Sequence, residues 1–435
     1  MTIGIVSVVT LAAFEAIGTA TAMPVVARQL DALGAYTWAF NAYTVASLLA
    51  MVIAGLRCDS TGPRGPIIAG IAAFAGGSIV AGAATSLPMF IIGRAGQGVG
   101  SGSVIVGLYV LIARAYPETL RPKAFSALAA AWVVPSLVGP LLAGWLADSV
   151  SWRLVFWIVP ILVIAPLLLL RPHLGAYQAG SPNPQARQRV MAGIVATVGL
   201  LALQDGLGRI TVVGAAEGAI GLGLIVVASR ALLPAGALRF ARGLPTTVMM
   251  RGLIAAAYFS SEVFIPLALV EVKGVSTTFA GLALAFGAAS WAVGSFVQSR
   301  FSGTTDRSRT VQIGAVAIVL AIASLPLCLL PSVPTWTVAV SWSVAALGMG
   351  LATPSISVQT MRLSPEADQG LNSSALQIVD SVLVVTGTAV VGIVYAHALT
   401  SGGVTIATYG TIWIGSALLA VAAACLAPRM RPLHG

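Results

Sequence analysis

Apolar residues occupy most of the chain in blocks of about 20, and short polar segments separate these blocks. A helix of that length crosses the roughly 30 Å hydrocarbon core of a bilayer. The pattern predicts six helices before a polar, proline-containing segment at 171–189, two after it, and then six more. The predicted ranges are 4–27, 36–57, 66–86, 88–112, 124–147, 153–170, 190–208, 212–230, 246–270, 276–299, 310–331, 334–358, 371–397 and 406–427.

This order predicts an all-α integral membrane protein with two six-helix bundles and two extra linker helices. The expected domains are an N-terminal bundle over 1–171, a cytoplasmic loop with the linker pair over 172–243, and a C-terminal bundle over 244–435. Twelve crossings stay open as an alternative to fourteen, because removing the linker pair preserves the polarity of the other helices. The first block lacks a leading Lys or Arg and contains Glu15, so it is expected to be a helix and not a cleavable signal peptide.

Charged residues are scarce, at 8% of 435 residues, whereas 58% are hydrophobic. A soluble domain carries about 25% charged residues, so there is too little charge here to cover a water-exposed surface. The net charge of +10 comes from single basic residues between apolar blocks, which does not favour a nucleic-acid partner. With both termini in the cytoplasm, most basic residues, including Arg251, fall on the cytoplasmic side. The other side then holds only Arg28, Arg153, Arg209 and Lys273.

Motifs for enzymatic chemistry are missing from the sequence. The three cysteines and three histidines are isolated, and no phosphate-binding G-x-x-x-x-G-K-[ST] occurs. We therefore expect no enzyme activity, no metal, no cofactor and no ATP-driven step. The run G-Q-G-V-G-S-G at 96–102 lies within an apolar helix, where it predicts close helix packing instead of a dinucleotide loop.

Four ionisable residues fall well inside predicted helices: Glu15, Arg94, Glu262 and Asp380. A charge at the bilayer centre costs about 2.5–3.5 kcal/mol on insertion scales, so each one calls for a reason. Our hypothesis is that one or more of these carboxylates exchanges protons, since burial and a nearby arginine shift proton affinity in opposite directions. The alternative is that they are neutral or paired groups that hold helices together. Three other acidic residues are expected at the interface in contact with solvent, namely Asp148, Asp205 and Glu217.

Polar and aromatic residues on the same helices are candidates for a substrate cavity. Aromatic rings near a carboxylate suit organic cations through stacking and cation–π contacts. For the aromatic residues, packing against lipid or at the interface is the alternative. The predicted cavity residues are Thr19, Trp38, Tyr43, Gln97, Tyr258, Phe259, Trp291 and Gln377.

Several segments match motifs of one transporter family. The run G-L-R-C-D-S-T-G-P-R at 55–64 is similar to G-x-L-x-D-R-x-G-R-[RK]. It matches at Gly55, Asp59, Gly62 and Arg64, and it differs at Arg57, Ser60 and Pro63. G-R-A-G-Q-G-V-G at 93–100 is similar to R-x-x-Q-G-x-G, with matches at Arg94, Gln97, Gly98 and Gly100.

Further matches follow the same order along the chain. P-S-L-V-G-P-L-L-A-G at 135–144 is similar to G-x-x-x-G-P-x-x-G-G, with Pro135 and Ala143 as departures and matches at Gly139, Pro140 and Gly144. E-A-I-G-T-A-T-A-M-P at 15–24 is similar to L-D-x-T-I-V-N-V-A-L-P, with Glu15 at the Asp position and Pro24 matched. Two aromatic motifs also fit, W-x-x-x-x-Y at Trp38 and Tyr43, and W-R-x-x-F at Trp152, Arg153 and Phe156.

Together these motifs resemble the major facilitator superfamily, in its fourteen-helix drug:proton antiporter branch. The resemblance implies a secondary transporter that exports lipophilic or cationic small molecules (multidrug efflux) by proton antiport and alternating access, with the proton gradient as energy source. It also implies that Arg94 takes part in proton coupling, that the 55–64 loop latches one conformation, and that the 135–144 motif accompanies export.

Two alternatives stay open, because a fold does not fix a function. One is a carrier of the same fold for a specific lipid or metabolite, and the remote one is a non-transporting membrane sensor or scaffold. The prevalence of Arg over Lys, with many Ala and Gly, favours a GC-rich genome and hence a bacterial inner membrane. The expected partners are the lipid bilayer, protons and a small-molecule substrate, and the protein is expected to be a monomer.

Overall fold

The computed structural model describes the chain except residues 118–119, 121–123, 125–126, 128–129, 176–185, 210, 301–305, 366–368 and 432–435. The residues it describes form helices and connections without a strand, which confirms the predicted all-α class. Thirteen helices in this part of the chain are long and apolar enough to cross a membrane, and Val133–Ser149 is a shorter apolar helix.

We number the fourteen segments in chain order. The first seven are α1 (Thr2–Gln29), α2 (Trp38–Thr61), α3 (Arg64–Gly82), α4 (Leu87–Ala115), α5 (Val133–Ser149), α6 (Arg153–His173) and α7 (Ala186–Gly208). The others are α8 (Val212–Leu232), α9 (Leu244–Val272), α10 (Thr277–Arg300), α11 (Arg307–Cys328), α12 (Trp336–Leu363), α13 (Gln369–Ser401) and α14 (Ile406–Leu426). The predicted start of the fifth helix, from 124, lies partly outside the described residues.

Two segments predicted as continuous helices are interrupted. In α6, a helix over Arg153–Leu162 ends before a second one over Ile164–Leu170. In α9, a helix over Leu244–Glu262 ends before a second one over Ile265–Val272. Proline has no N–H, so it cannot donate to the carbonyl four residues before it. Pro166 and Pro266 stand four residues after the last residue of each first helix, which accounts for both breaks.

Contacts divide the described chain into two compact units. The first unit comprises Met1–Thr197 and Ser276–Gly281, and the second comprises Val198–Val275 and Leu282–Gly435. This division follows contacts alone, so the three domains inferred from the sequence remain a prediction.

In the first unit, α4 packs closely against α2 and α3 through glycines. A methyl group on Gly98 would overlap the carbonyl oxygen of Tyr43, and one on Gly100 would overlap the backbone nitrogen of Phe74. No larger residue fits at either contact without a shift of the backbone. The close packing predicted for the run at 96–102 is therefore confirmed.

In the second unit, α9 is the most enclosed helix, with 83% of its most apolar window buried. It packs against α12, α13 and α14. A short 3-10 helix over Ala427–Met430 then packs against the start of α9, where Gly243 N–H donates to the carbonyl of Arg429 at 2.8 Å. Polar side chains on α9 thus lie in the interior of the unit, where they need partners.

Candidate functional site

A buried ion pair joins α1 and α4 in the first unit. Arg94 Nη1 lies 2.5 Å from Glu15 Oε1, and the two residues are 3% and 0% exposed. Thr19, one turn after Glu15 on α1, donates its hydroxyl to the same oxygen at 2.7 Å. The helical spacing of Glu15 and Thr19 therefore places both side chains at the arginine.

The guanidinium of Arg94 has further partners on α2 and α4. Its Nε donates to the carbonyl of Ala39 at 3.0 Å, and its Nη1 donates to Gln97 Oε1 at 2.7 Å. The ring of Tyr43 lies under the guanidinium, with 4.7 Å between Cζ and the ring centroid. Gln97 in turn donates to Ser78 Oγ on α3 at 2.9 Å. Arg94 and Gln97 together thus connect four helices.

The other carboxylate oxygen of Glu15, Oε2, is buried and has no hydrogen-bond partner among the described residues. An ionised carboxylate can accept about four hydrogen bonds, and an unsatisfied buried oxygen costs about 1–3 kcal/mol. One carboxylate oxygen of Glu15 therefore has hydrogen-bond donors and the other has none in the described part of the chain, so we call this carboxylate half-satisfied. The open oxygen can accept a proton or a hydrogen bond from a bound molecule.

An aromatic cluster lies one helical turn before a second carboxylate in the second unit. The ring of Tyr258 stacks on Trp342 with 4.3 Å between centroids, and its edge contacts Trp291 at 5.5 Å and Phe259 at 5.3 Å. Glu262 follows one turn after Tyr258, at the break in α9. It is half-buried and makes no ion pair or hydrogen bond with another described residue.

The remaining intramembrane carboxylate has an arginine partner. Arg251 Nε on α9 donates to Asp380 Oδ1 on α13 at 3.2 Å, and both side chains are mostly buried. Arg251 lies eleven residues before Glu262 on an unbroken helix, which separates them by roughly 16 Å along the axis. Asp380 and Glu262 therefore occupy different layers. Arg251 lies about two turns inside α9, and its assignment to the cytoplasmic side stays a prediction.

The structure brings some predicted residues together and leaves others apart. Glu15, Thr19, Tyr43, Arg94 and Gln97 form one cluster, whereas Glu262, Tyr258, Phe259 and Trp291 form another. Two predicted cavity residues belong to neither: Trp38 is half-buried at the start of α2, and Gln377 is exposed on α13 one turn before Asp380.

The predicted conformational motifs lie at helix ends and helix contacts of the first unit. Gly62 ends α2 with a φ of 85°, Arg64 begins α3, and Asp59 makes no ion pair with another described residue. On α5, Gly139 faces α1, and a methyl group on Gly144 would lie 2.5 Å from Thr278 Cα. Pro140 and Gly55 lie within α5 and α2, and Gly55 has open space where a methyl group would lie.

Sequence reasoning missed partners that lie far away along the chain. Arg251 and Trp342 are examples, and Glu271, which accepts hydrogen bonds from Tyr395 and Tyr409, is another. Asp148 was expected to be solvated. It is exposed, but its carboxylate also accepts hydrogen bonds from the backbone N–H groups of Thr277 and Thr278 at 3.2 and 2.8 Å, which satisfies free donors at the start of α10.

The two other acidic residues expected at the interface form a surface ion pair group. Arg209 lies 2.5 Å from Asp205 and 3.8 Å from Glu217, and all three side chains are about a third exposed or more. Within the described part of the chain, no three His, Cys, Asp or Glu side chains come together as a metal site.

Comparison with known proteins is consistent with this architecture. A sequence profile of the Major Facilitator Superfamily matches residues 4–388. An uncharacterized MFS-type transporter of Mycobacterium tuberculosis is 28% identical over 410 residues, which cover 88% of this chain and 58% of that protein. The chain thus spans well under two thirds of that relative's length. A probable multidrug-efflux transporter of the same species is 25% identical over 89% of this chain and 85% of its own length.

A third relative, matched over a shorter part of the chain, is named as a multidrug transporter. The multidrug transporter protein MdtP of Bacillus subtilis is 30% identical over 181 residues, covering 41% of this chain and 34% of that protein. Among solved structures, a peptide transporter POT in complex with sulfate superposes with a TM-score of 0.69 at 15% identity, over 98% of this chain and 94% of that one. A POT family transporter with a bound thioalcohol-conjugated peptide gives 0.71 at 14% identity, over 98% and 96%. At such identities the likeness concerns the fold alone.

Proposed function

Because the chain belongs to the Major Facilitator Superfamily, we propose that it exports lipophilic or cationic small molecules in exchange for protons, by alternating access. Membership confirms the predicted family, the transporter fold, the multi-pass membrane location and the prediction that the chain is not an enzyme. The substrate class, proton coupling and direction of transport are the proposal. The multidrug names of two relatives support the substrate class.

The half-satisfied carboxylate of Glu15 is the observation that carries the proposal. A proton on Oε2 would remove the negative charge that Arg94 now faces. Arg94 would keep Gln97 and the Ala39 carbonyl as partners, but it would lose most of the attraction toward α1. Loss or gain of one proton would thereby change the forces between α1 and α4. That is the requirement for coupling proton movement to a change of conformation.

The cluster around Glu262 supports a cationic or lipophilic substrate. The faces of aromatic rings carry negative potential and attract cations, and their area favours apolar ligands. Glu262 adds a carboxylate that no described residue neutralises, beside the rings of Tyr258 and Phe259. An organic cation would offset this charge and stack on the half-buried rings of Phe259 and Trp291. Asp380, which Arg251 already pairs, is a weaker candidate for this role.

Reconstitution into liposomes tests the two halves of the proposal separately. An imposed pH gradient, with the membrane potential clamped, should drive accumulation of an ethidium-like dye. Glu15→Gln should bind dye as the natural protein does but should lose the response to the gradient. Glu262→Gln should keep gradient-dependent proton flux at high dye concentration but should bind dye less tightly. Asp205→Asn, at an exposed ion pair, is the matched control and should change neither property.

The outcomes distinguish the alternatives. If the rate of dye transport is the same with and without the pH gradient, and the same in Glu15→Gln, the proton-antiport proposal is overturned. Gradient-driven proton flux without any response to cationic dyes would instead favour a carrier of a specific lipid or metabolite. The proposed location is a bacterial inner membrane with both termini in the cytoplasm, which accessibility of engineered terminal cysteines in intact cells would test.

A further inference from the structure

Two adjoining cavities lie at one end of the second unit, where α11 passes into α12. The larger, of about 590 Å³, lies over the connecting loop, and its lining includes Lys273, Ser332, Thr335 and Ile406. The smaller, of about 350 Å³, runs between the two helices and is mostly apolar. It is lined by Leu320, Cys328, Trp336, Val340 and Val344, among others. Thr335 and Trp336 are neighbours in the chain and line different cavities, so the two spaces are adjacent.

The cavity between the helices, which we call the groove, opens on the outer surface of α11 and α12. Leu320 and Trp336 are 66% and 60% exposed along it. The hydroxyls of Ser324 and Ser341 lie 2.7 Å apart, and both lie within hydrogen-bond distance of the Ala321 carbonyl. Each hydroxyl proton therefore has an acceptor, so the two serines require no ligand. In a membrane-spanning helix pair, such a surface meets hydrocarbon. The groove therefore suits a flexible apolar chain.

The cavity over the loop has positive charge. Lys273 Nζ donates to the carbonyls of Leu330 and Val333 at 2.7 and 2.8 Å, which holds the ammonium group at the loop. An ammonium has three donors, so one remains for a ligand. No carboxylate among the described residues pairs with Lys273, and Ser332 and Thr335 also line this cavity.

We propose that the two cavities together bind one anionic glycerophospholipid, with its phosphate at Lys273 and one acyl chain in the groove. The charge of Lys273 complements a phosphate, and the groove complements hydrocarbon. Trp336, at the junction, is the residue type that membrane proteins place at the level of lipid headgroups.

This occupant explains both cavities at once. A free phosphate would contact the lysine and leave the groove unused. A neutral amphiphile would fill the groove and leave the charge of Lys273 without a counterpart. Inorganic phosphate and a neutral lipid are therefore the two comparison ligands in the experiments below. The site is separate from the clusters at Glu15 and Glu262, so it does not depend on the proposed transport function.

Native mass spectrometry of the purified full-length chain in detergent measures the lipid bound. Phosphatidylglycerol should bind more tightly than phosphatidylcholine. Lys273→Gln should weaken phosphatidylglycerol binding about tenfold, the size expected for loss of one charge-assisted contact, and leave phosphatidylcholine binding nearly unchanged. Lys273→Arg should retain most of the binding. Arg209→Gln, an exposed basic residue of the same unit outside both cavities, is the control and should have no effect.

The groove is tested independently with phosphatidylglycerol that carries a photoreactive acyl chain. Cross-links should map to α11 and α12 in the unaltered protein and should decrease when Val340→Trp fills the groove. Inorganic phosphate at millimolar concentration should not compete. Equal binding of the two lipids, no loss in Lys273→Gln, or cross-links confined to other helices would each overturn the proposal.

Discussion

Arg94 Nη1 donates to Glu15 Oε1 at 2.5 Å, while Oε2 of the same carboxylate is buried without a partner among the described residues. The two oxygens of one side chain therefore have unequal surroundings. Arg94 is the only ionic partner of this carboxylate among the described residues. The guanidinium, in contrast, also contacts the Ala39 carbonyl, Gln97 and the ring of Tyr43. This asymmetry leads to the first prediction.

Arg94→Ala should destabilise the protein more than Glu15→Gln. Removing the arginine leaves a buried carboxylate without its counter-charge, and the cost of breaking a buried pair in this way is about 3–5 kcal/mol. Glutamine at position 15 also removes a counter-charge, but it keeps an acceptor for Arg94 and Thr19. It also leaves the contacts of Arg94 with Ala39, Gln97 and Tyr43 in place, which Arg94→Ala removes. Thermal unfolding in detergent measures both variants. Equal destabilisation by the two substitutions, or a larger effect of Glu15→Gln, would contradict this prediction.

Gly98→Ala should impair folding, whereas Gly76→Ala should not. A methyl group at position 98 would overlap the backbone carbonyl of Tyr43, and backbone cannot rotate away as a side chain can. Gly76, on α3, has nothing within 4 Å of the same position. Overpacking of this kind typically costs about 1–3 kcal/mol. The yield of monodisperse protein and its melting temperature provide the measurement. A Gly98→Ala variant with the yield and melting temperature of the natural protein would contradict the described packing of α2 on α4.

Gly287→Ala should alter the aromatic cluster without touching a substrate directly. A methyl group on Gly287 would lie 2.6 Å from Trp342 Cδ1, so the indole that stacks on Tyr258 must move. We expect a several-fold weaker apparent affinity for cationic dyes, by analogy with loss of one aromatic contact of about 0.5–1.5 kcal/mol. Gly415→Ala, with open space on α14, is the control. Unchanged dye affinity in both variants would exclude Tyr258 and Trp342 from the substrate site.

Asp306 should make stability depend on pH at one end of the second unit. This residue precedes α11, outside the membrane-spanning segment. Partial burial raises the pKa of Asp306, but hydrogen bonds from Ser308 and the charge of Arg431 outweigh burial and hold the pKa below its usual 3.8. A carboxylate whose pKa is lowered by folding stabilises the protein above pH 3.8, and this contribution is lost as the pH falls through the folded-state value.

Asp306→Asn isolates that contribution, since asparagine can also cap a helix start. The variant should melt at a lower temperature than the natural protein at pH 6. The difference should shrink as the pH is lowered below 3.8. A difference that stays constant with pH would contradict the assigned role of the charge between Asp306 and Arg431.

Much of the architecture could be predicted from the sequence because the bilayer imposes a simple rule. Each crossing needs about 20 apolar residues, so fourteen helices could be placed without knowledge of their contacts. The cluster at Glu15 could also be predicted in part. Thr19 and Gln97 lie one turn from Glu15 and Arg94, and an intramembrane arginine requires an acidic partner.

The rest depended on contacts that leave no local pattern. Arg251 and Asp380 are separated by 129 residues, so no local pattern indicates that they form a pair. Trp342 and Glu271 likewise acquire their roles from other helices. The break in α9 had a local signal in Pro266, whose effect on the Glu262 carbonyl could have been anticipated.

Tyr43 is held from two directions at once. Its ring lies under the Arg94 guanidinium, and its carbonyl lies against Gly98, one turn further along the same helix as Arg94. A sliding motion between α2 and α4 would have to break both contacts together. α2 and α4 therefore meet at two contacts of a single residue, whereas Glu15 reaches Arg94 from a third helix, α1.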